Sequence, residues 1–267
     1  MRRLLLLLVP FLLLACSAEQ APPAPTSAVV DELAALAEKV DARRAELRTA
    51  RFHTEGFASD GEATEVGNVV DGALRQDPEG LVGSMSMDVT TGGQSRRIDL
   101  VIVRDGMYVS VAGAPMPEGK KWGYYTEQNS GDLSALLRGF GPGSTVGAEL
   151  DYVQPRAAAI VGKAEEELDG TPVTRYDLVV DPVKMAKVIE DPDIQLQHAQ
   201  LAEHGVAIRA TVRVDATGAP LQAEYRFELD GKVVKRSATR FRDWGQPIDI
   251  PVPPEAEVVP ADQLPSR

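Results

Sequence analysis

Few residues in this chain have types and spacing that could do chemistry, and the first is its single cysteine. Cys16 closes the run Leu13-Leu14-Ala15-Cys16, at the end of an apolar stretch from Leu4 to Ala15 that follows Arg2 and Arg3. A basic start, a short apolar core and a small residue before the processing point make an export signal. The stretch is too short for a membrane span, which takes roughly 20 apolar residues. A cysteine at that point reads as a lipid attachment site at the end of the signal. Residues 1–15 thus read as a lipoprotein signal peptide. Residues 16–28, made of Ala, Pro, Ser, Thr and Glu without apolar periodicity, read as a lipidated flexible tether. Two acyl chains anchor far more firmly than one, so the expected location is the extracytoplasmic face of the cell membrane, held there through Cys16.

No other grouping completes a reactive constellation. His198 and His204 stand six apart, off a shared helical face, and neither they nor His53 have acidic residues at ligand spacing, so no metal site is expected. These histidines read as solvated or locally bonded. The glycines from Gly139 to Gly147 lack the lysine of a phosphate cradle and do not complete a dinucleotide fingerprint. A Gly-x-Ser-x-Gly elbow is absent from the sequence, and Glu165-Glu166-Glu167 reads as a solvated surface. The expectation is a protein without catalytic residues or cofactor, hence not an enzyme. Its formal charge of -12 becomes -14 once Arg2 and Arg3 leave with the signal, which excludes the basic footprint of a nucleic-acid binder. With Cys16 consumed by lipid, no thiol remains for a disulfide, and stability must come from an apolar core.

The elements that build this core follow from periodicity. Val29, Leu33, Leu36, Val40 and Leu47 recur at helical spacing, and after Thr49 the period shortens to the alternation of strands. Leu81, Met85, Met87 and Val89 share one strand face, and Ile98, Leu100 and Ile102 another, opposite Arg97 and Asp99. Asp105-Gly106 predicts a hairpin with a primed turn leading to Met107-Tyr108-Val109. A short helix is expected around Leu133, Leu136 and Leu137, stopped by Gly139-Phe140-Gly141-Pro142-Gly143. Asp169-Gly170 marks a second hairpin. Asp181-Pro182 predicts an N-cap and first helical residue for a helix carrying Val183, Ala186 and Ile189, and a less regular segment runs on to His204-Gly205. Ile208 to Val214, Leu221 to Leu229 and Val233 to Phe241 form a meander, turning at Asp215–Gly218 and Asp230-Gly231, that puts an apolar face inward and a charged face outward. The fold class is α+β: a curved antiparallel sheet forming an incomplete, half β-barrel, with helices covering its concave face and residues 29–267 as one domain.

These motifs in this order resemble one family. Leu13-Leu14-Ala15-Cys16 is similar to the bacterial lipobox, with Leu14 where smaller residues are more usual. Behind it come a helix, Val103-Arg104-Asp105-Gly106-Met107-Tyr108 within a run of strands, Leu168-Asp169-Gly170-Thr171-Pro172-Val173, and the closing Phe241-Arg242-Asp243-Trp244-Gly245-Gln246-Pro247-Ile248-Asp249-Ile250-Pro251. Together they resemble the LppX/LprG group of actinobacterial lipoproteins across essentially the whole mature chain. The resemblance implies a LolA-like half-barrel around an apolar cavity that binds an acylated lipid or lipoglycan and moves it through the envelope, with a transporter as a further partner. It carries over no catalytic residue. A half-open barrel cannot fill its own interior, so helices or an acyl chain must. The candidates for lining it are Met85, Met87, Leu100, Ile102, Val212, Tyr225 and Phe227, with plain core packing as the competing reading of each. Two other functions fit the same fold, a sensor or regulator acting through a protein partner and a purely structural surface lipoprotein. A monomer is expected.

Overall fold

The computed structural model describes residues 27–59, 65–126 and 148–264. Helix α1 (Ser27–Leu47) places Leu33, Leu36 and Val40 on one buried stripe, as their three- and four-residue spacing requires. Arg48 alone then reverses the chain, in the left-handed region at φ 60°, into β1 (Thr49–Ser59). An antiparallel run follows: β2 (Glu65–Asp77), β3 (Gly80–Thr91), β4 (Gln94–Val103), β5 (Gly106–Val111) and the short β6 (Trp122–Tyr125). After a 3-10 turn at Ala148–Tyr152 come β7 (Ala158–Leu168), β8 (Thr171–Val180), α2 (Pro182–Val188), α3 (Pro192–Glu203), β9 (Ala207–Asp215), β10 (Pro220–Leu229), β11 (Lys232–Arg242) and β12 (Val258–Pro260).

All twelve strands join one sheet, in the order β12-β6-β5-β4-β3-β2-β1-β11-β10-β9-β8-β7. Among the described residues only the β12–β6 pair is parallel. The chain closes its middle by laying β1 against β11, with Phe52 opposite Phe241 and Thr54 opposite Thr239. The sheet stays open, its two edges being β12 and β7. One continuous apolar cluster reaches from Val109 on β5 to Leu178 on β8 and takes in Leu33, Leu36 and Val40 of α1. Side chains from strands so far apart share one core only if the sheet curves around it. A smaller cluster lies on the opposite face, where the segment after β11 carries Ile248 and Ile250 against Ala73 and Val101.

Three local features differ from expectation. The β4–β5 turn centres on Arg104-Asp105, with Gly106 already in β5 opposite Val103 and no positive φ at either central residue. Gly106 is there for space, because a Cβ would stand 2.3 Å from the Tyr125 carbonyl oxygen. The other two Asp-Gly turns, Asp169-Gly170 and Asp230-Gly231, do have positive φ at both residues, as primed turns demand. Helix α2 is capped by Asp181 as predicted, its carboxylate accepting from Val183 N and Lys184 N. Its buried side chain is Met185, however, while Val183 is exposed and Ile189 lies at the C-cap beyond its end. The segment expected to be irregular is helix α3, opened by Asp191-Pro192 with the same capping bonds. The helix expected around Leu133, the glycines from Gly139 to Gly143, and Cys16 with its signal lie outside the described residues.

Candidate functional site

The seven predicted lining residues all fall on the concave face. Met85 pairs with Leu100, Met87 with Ile98, and Ile102 with Gly83, so Met85, Met87, Leu100 and Ile102 form one contiguous patch on β3 and β4. Met107 extends it, opposite Ile102 on β5. Val212, Tyr225 and Phe227 form a second patch on β9 and β10. The two patches differ in how they are covered. Tyr152 of the 3-10 turn lies over the second, with ring centroids 5.2 Å from Tyr225 and 6.4 Å from Phe227. Those rings contact each other at 5.1 Å, a packed aromatic cluster at normal separations. In the first patch Met87 and Leu100 are buried, while Met85, Ile102 and Met107 keep part of their surface exposed. An apolar partner gains most from such partly exposed, flexible side chains.

Between the patches runs a polar column that alternation alone did not disclose. Beyond the bulge at Val234, which itself packs against the core, the inward residues of β11 are Lys235, Ser237, Thr239 and Phe241, and those of β1 include Phe52 and Thr54. The expectation of an apolar inner face on the last strand of the meander is therefore corrected for β11. Phe241 opposite Phe52 fixes the parity, and a strand's period of two then commits Lys235, Ser237 and Thr239 to the same face. The hydroxyls of Thr54 and Thr239 stand 2.7 Å apart in a shared hydrogen bond. Ser237 Oγ donates to Glu149 Oε1 at 2.6 Å. Glu149 is 3% exposed, and its Oε2 has no hydrogen-bond partner among the described residues. Burial accordingly raises the Glu149 carboxyl above the usual carboxylate range, while Ser237 works against that shift.

Lys235 Nζ lies 5.7 Å from the Tyr225 ring centroid and 5.5 Å from that of Phe227, within cation–π range. Burial pushes its ammonium down to about 8, against the opposing pull of Glu149. His198, 2% exposed on α3, bonds through Nδ1 to the Ile194 carbonyl at 2.9 Å and faces Tyr152 Oη through Nε2 at 3.4 Å. Burial lowers its pKa, keeping the ring neutral. The locally bonded reading of this histidine matches its surroundings. His53 lies on the outer face, its Nδ1 2.9 Å from Asp71 Oδ1, and that carboxylate raises its pKa. Among the described residues no group of His, Cys, Asp or Glu is arranged to hold a metal ion. Glu166, expected to be solvated, accepts from both Arg175 on β8 and Arg213 on β9.

At the end of α1 a cleft of about 230 Å³ opens beside the concave face. Ala50, Leu74, Leu81, Phe241 and Trp244 form its apolar surface and Asp41, Arg44, Arg48 and Gln76 its polar surface. None of the seven predicted residues lines it. Ala50 and Phe241 nevertheless belong to the main core, and Leu74 and Trp244 pack against it.

No family profile matches the chain, and no curated protein matches it by sequence. Solved structures do. The Mycobacterium tuberculosis lipoprotein LppX aligns over 83% of this chain and 99% of its own, at 13% identity and a TM-score of 0.47. LprF from Mycobacterium bovis aligns over 84% and 97%, at 11% identity and a TM-score of 0.42. A DUF1329 family protein from Desulfovibrio piger aligns over 80% and 92%, at 10% identity and a TM-score of 0.28. LppX and LprF are lipoproteins of the family that the motif order resembles.

Proposed function

We propose that this protein is a membrane-anchored extracytoplasmic lipoprotein that binds an acylated lipid or lipoglycan on the concave face of its sheet and carries it within the cell envelope. The observation that carries this reading is the half-covered apolar patch on β3, β4 and β5, where Met85, Ile102 and Met107 remain partly exposed inside an open twelve-stranded sheet. Each methylene of an acyl chain buried there contributes roughly 0.8 kcal/mol. A long chain is then held without polar recognition, and released when an acceptor offers an equally apolar site. Anchoring through Cys16 keeps the patch close to the bilayer that holds its cargo. The work is sequestration from water, with no bond made or broken.

A vesicle transfer assay tests this. The full chain anchored on phosphatidylcholine vesicles should speed movement of a labelled diacyl lipid to acceptor vesicles, and Ile102→Trp or Met85→Trp, by filling the patch, should slow it to the uncatalysed rate. Equal transfer with and without the protein would contradict the carrier reading. In cells fed labelled palmitate, Cys16→Ala should lose all label, and a labelled variant would contradict the anchor.

A further inference from the structure

We infer that the cleft at the C-terminal end of α1 is the mouth of the apolar interior and that its rim holds an anionic headgroup, phosphate or carboxylate, on the guanidinium of Arg48 with Arg44 beside it. The inference rests on the lipid-binding reading above and adds the charge of the ligand and its way in.

Continuity comes first. Leu74, which lines the cleft, sits on β2 opposite Gly83 of β3. A Cβ on Gly83 would stand 2.8 Å from Leu74 Cδ2 and 4.0 Å from Ile102 Cδ1. The bare backbone there leaves Leu74 and Ile102 separated by no side chain, and Met85 follows on the same face. The Leu74 side chain packs over that bare backbone and is what stands between the cleft and the partly exposed patch. Trp244 walls the other side, its indole Nε1 donating to the Pro220 carbonyl at 2.8 Å, so its polar atom is already committed and the ring supplies apolar surface.

Charge comes second. Arg48 occupies a left-handed position just past the helix, where glycine is the usual residue. Its backbone is fully used: its N–H donates to the Arg44 carbonyl at 3.0 Å and its own carbonyl accepts from Gln76 N at 2.7 Å. Its guanidinium hydrogen-bonds to nothing among the described residues. It acts on Asp77 only through space, and that carboxylate is already held by Arg75 Nε and Nη2 at 2.8 and 3.0 Å. The one acid lining the cleft, Asp41, lies 3.8 Å from Arg44. Arg44, in the last turn, also offsets the partial negative charge of the helix end. One positive charge at an apolar opening is left over, in a protein of net charge -12.

The test uses the full chain anchored on phosphatidylcholine vesicles doped with a trace of photoactivatable phosphatidic acid or of phosphatidylcholine bearing the same acyl chains. Crosslinks mapped to peptides containing Leu74, Leu81 and Trp244 should be about tenfold more abundant for phosphatidic acid, the weight of one charge-assisted hydrogen bond. Arg48→Gly should bring them down to the phosphatidylcholine level. Glycine is at ease in a left-handed conformation, so the variant should melt at or above the parent temperature, which separates loss of charge from loss of fold. Equal labelling of the cleft by both lipids, or labelling that residue-level mapping confines to the Met85 and Ile102 side chains, would overturn the inference and leave lipid binding standing. Arg48-dependent binding of inorganic phosphate without lipid crosslinks at the cleft would overturn the mouth. No crosslink of either lipid anywhere in the protein would overturn both readings.

Discussion

At the scale of single residues Glu149 is costly, because it is 3% exposed and, among the described residues, only its Oε1 is bonded, to Ser237. A buried acceptor without a partner costs about 1 to 3 kcal/mol. Its raised pKa links that cost to pH. Between the ordinary carboxylate range and its folded value, the native state holds a proton that the unfolded chain has released. Stability therefore falls as pH rises through that window and stays at its lower level above it. The groups facing Glu149 are Ser237, Thr239 and Lys235 of β11, Tyr225 of β10, and Asp151 and Tyr152 of its own turn. Glu149→Gln should flatten the decline and raise neutral-pH stability by about 1 kcal/mol, read from urea melts between about pH 4 and about pH 8. An unchanged slope would place the proton elsewhere. Nothing in the sequence marked this residue, since a lone Glu between a glycine-rich stretch and Tyr152 has no pattern. Ser237 and Thr239 were legible in principle, because Phe241 fixes the inward parity of β11.

The elements were easier to read than their faces. Turn and cap chemistry is local, so the Asp-Gly turns at 169–170 and 230–231 and the cap at Asp181 formed where expected. Helix α3 carries the same signal, Asp191-Pro192, but its apolar residues Ile194, Leu196 and Leu201 give a weak stripe, Leu196 being exposed. The face of α2 could not be read from seven residues, since tertiary packing chose Met185. Each cap can be measured. Asp191→Ala should cost about 1 kcal/mol in a denaturant melt, because the N–H groups of Asp193 and Ile194 lose their acceptor. A loss below a few tenths would show that packing against the sheet holds α3 without its cap. Tyr152→Ala, which removes the ring covering Tyr225 and Phe227, should cost about 3 kcal/mol or more.

For the whole molecule, the sheet is long because β1 to β4 and β7 to β11 each run nine to thirteen residues, and open because its ends, β12 and β7, do not pair. Alternation made the meander and the half-barrel legible, but the pairing of β1 with β11 is non-local and follows only from closing the concave face. All seven lining candidates share that face, which strand parity could foresee. What parity could not foresee is the difference in cover, with Tyr225 and Phe227 packed under Tyr152 and Met85 and Ile102 left partly open. The central claim is that this open part holds an acyl chain. The most direct measurement is native mass spectrometry of the full chain purified from the envelope of a host that lipidates it, comparing the mass of the covalently acylated protein with that of the intact particle. A second, noncovalent lipid of diacyl mass, displaced by Ile102→Trp, is the result expected. A particle carrying only its covalent anchor, with Met85 and Ile102 protected from labelling by packing alone, would contradict it.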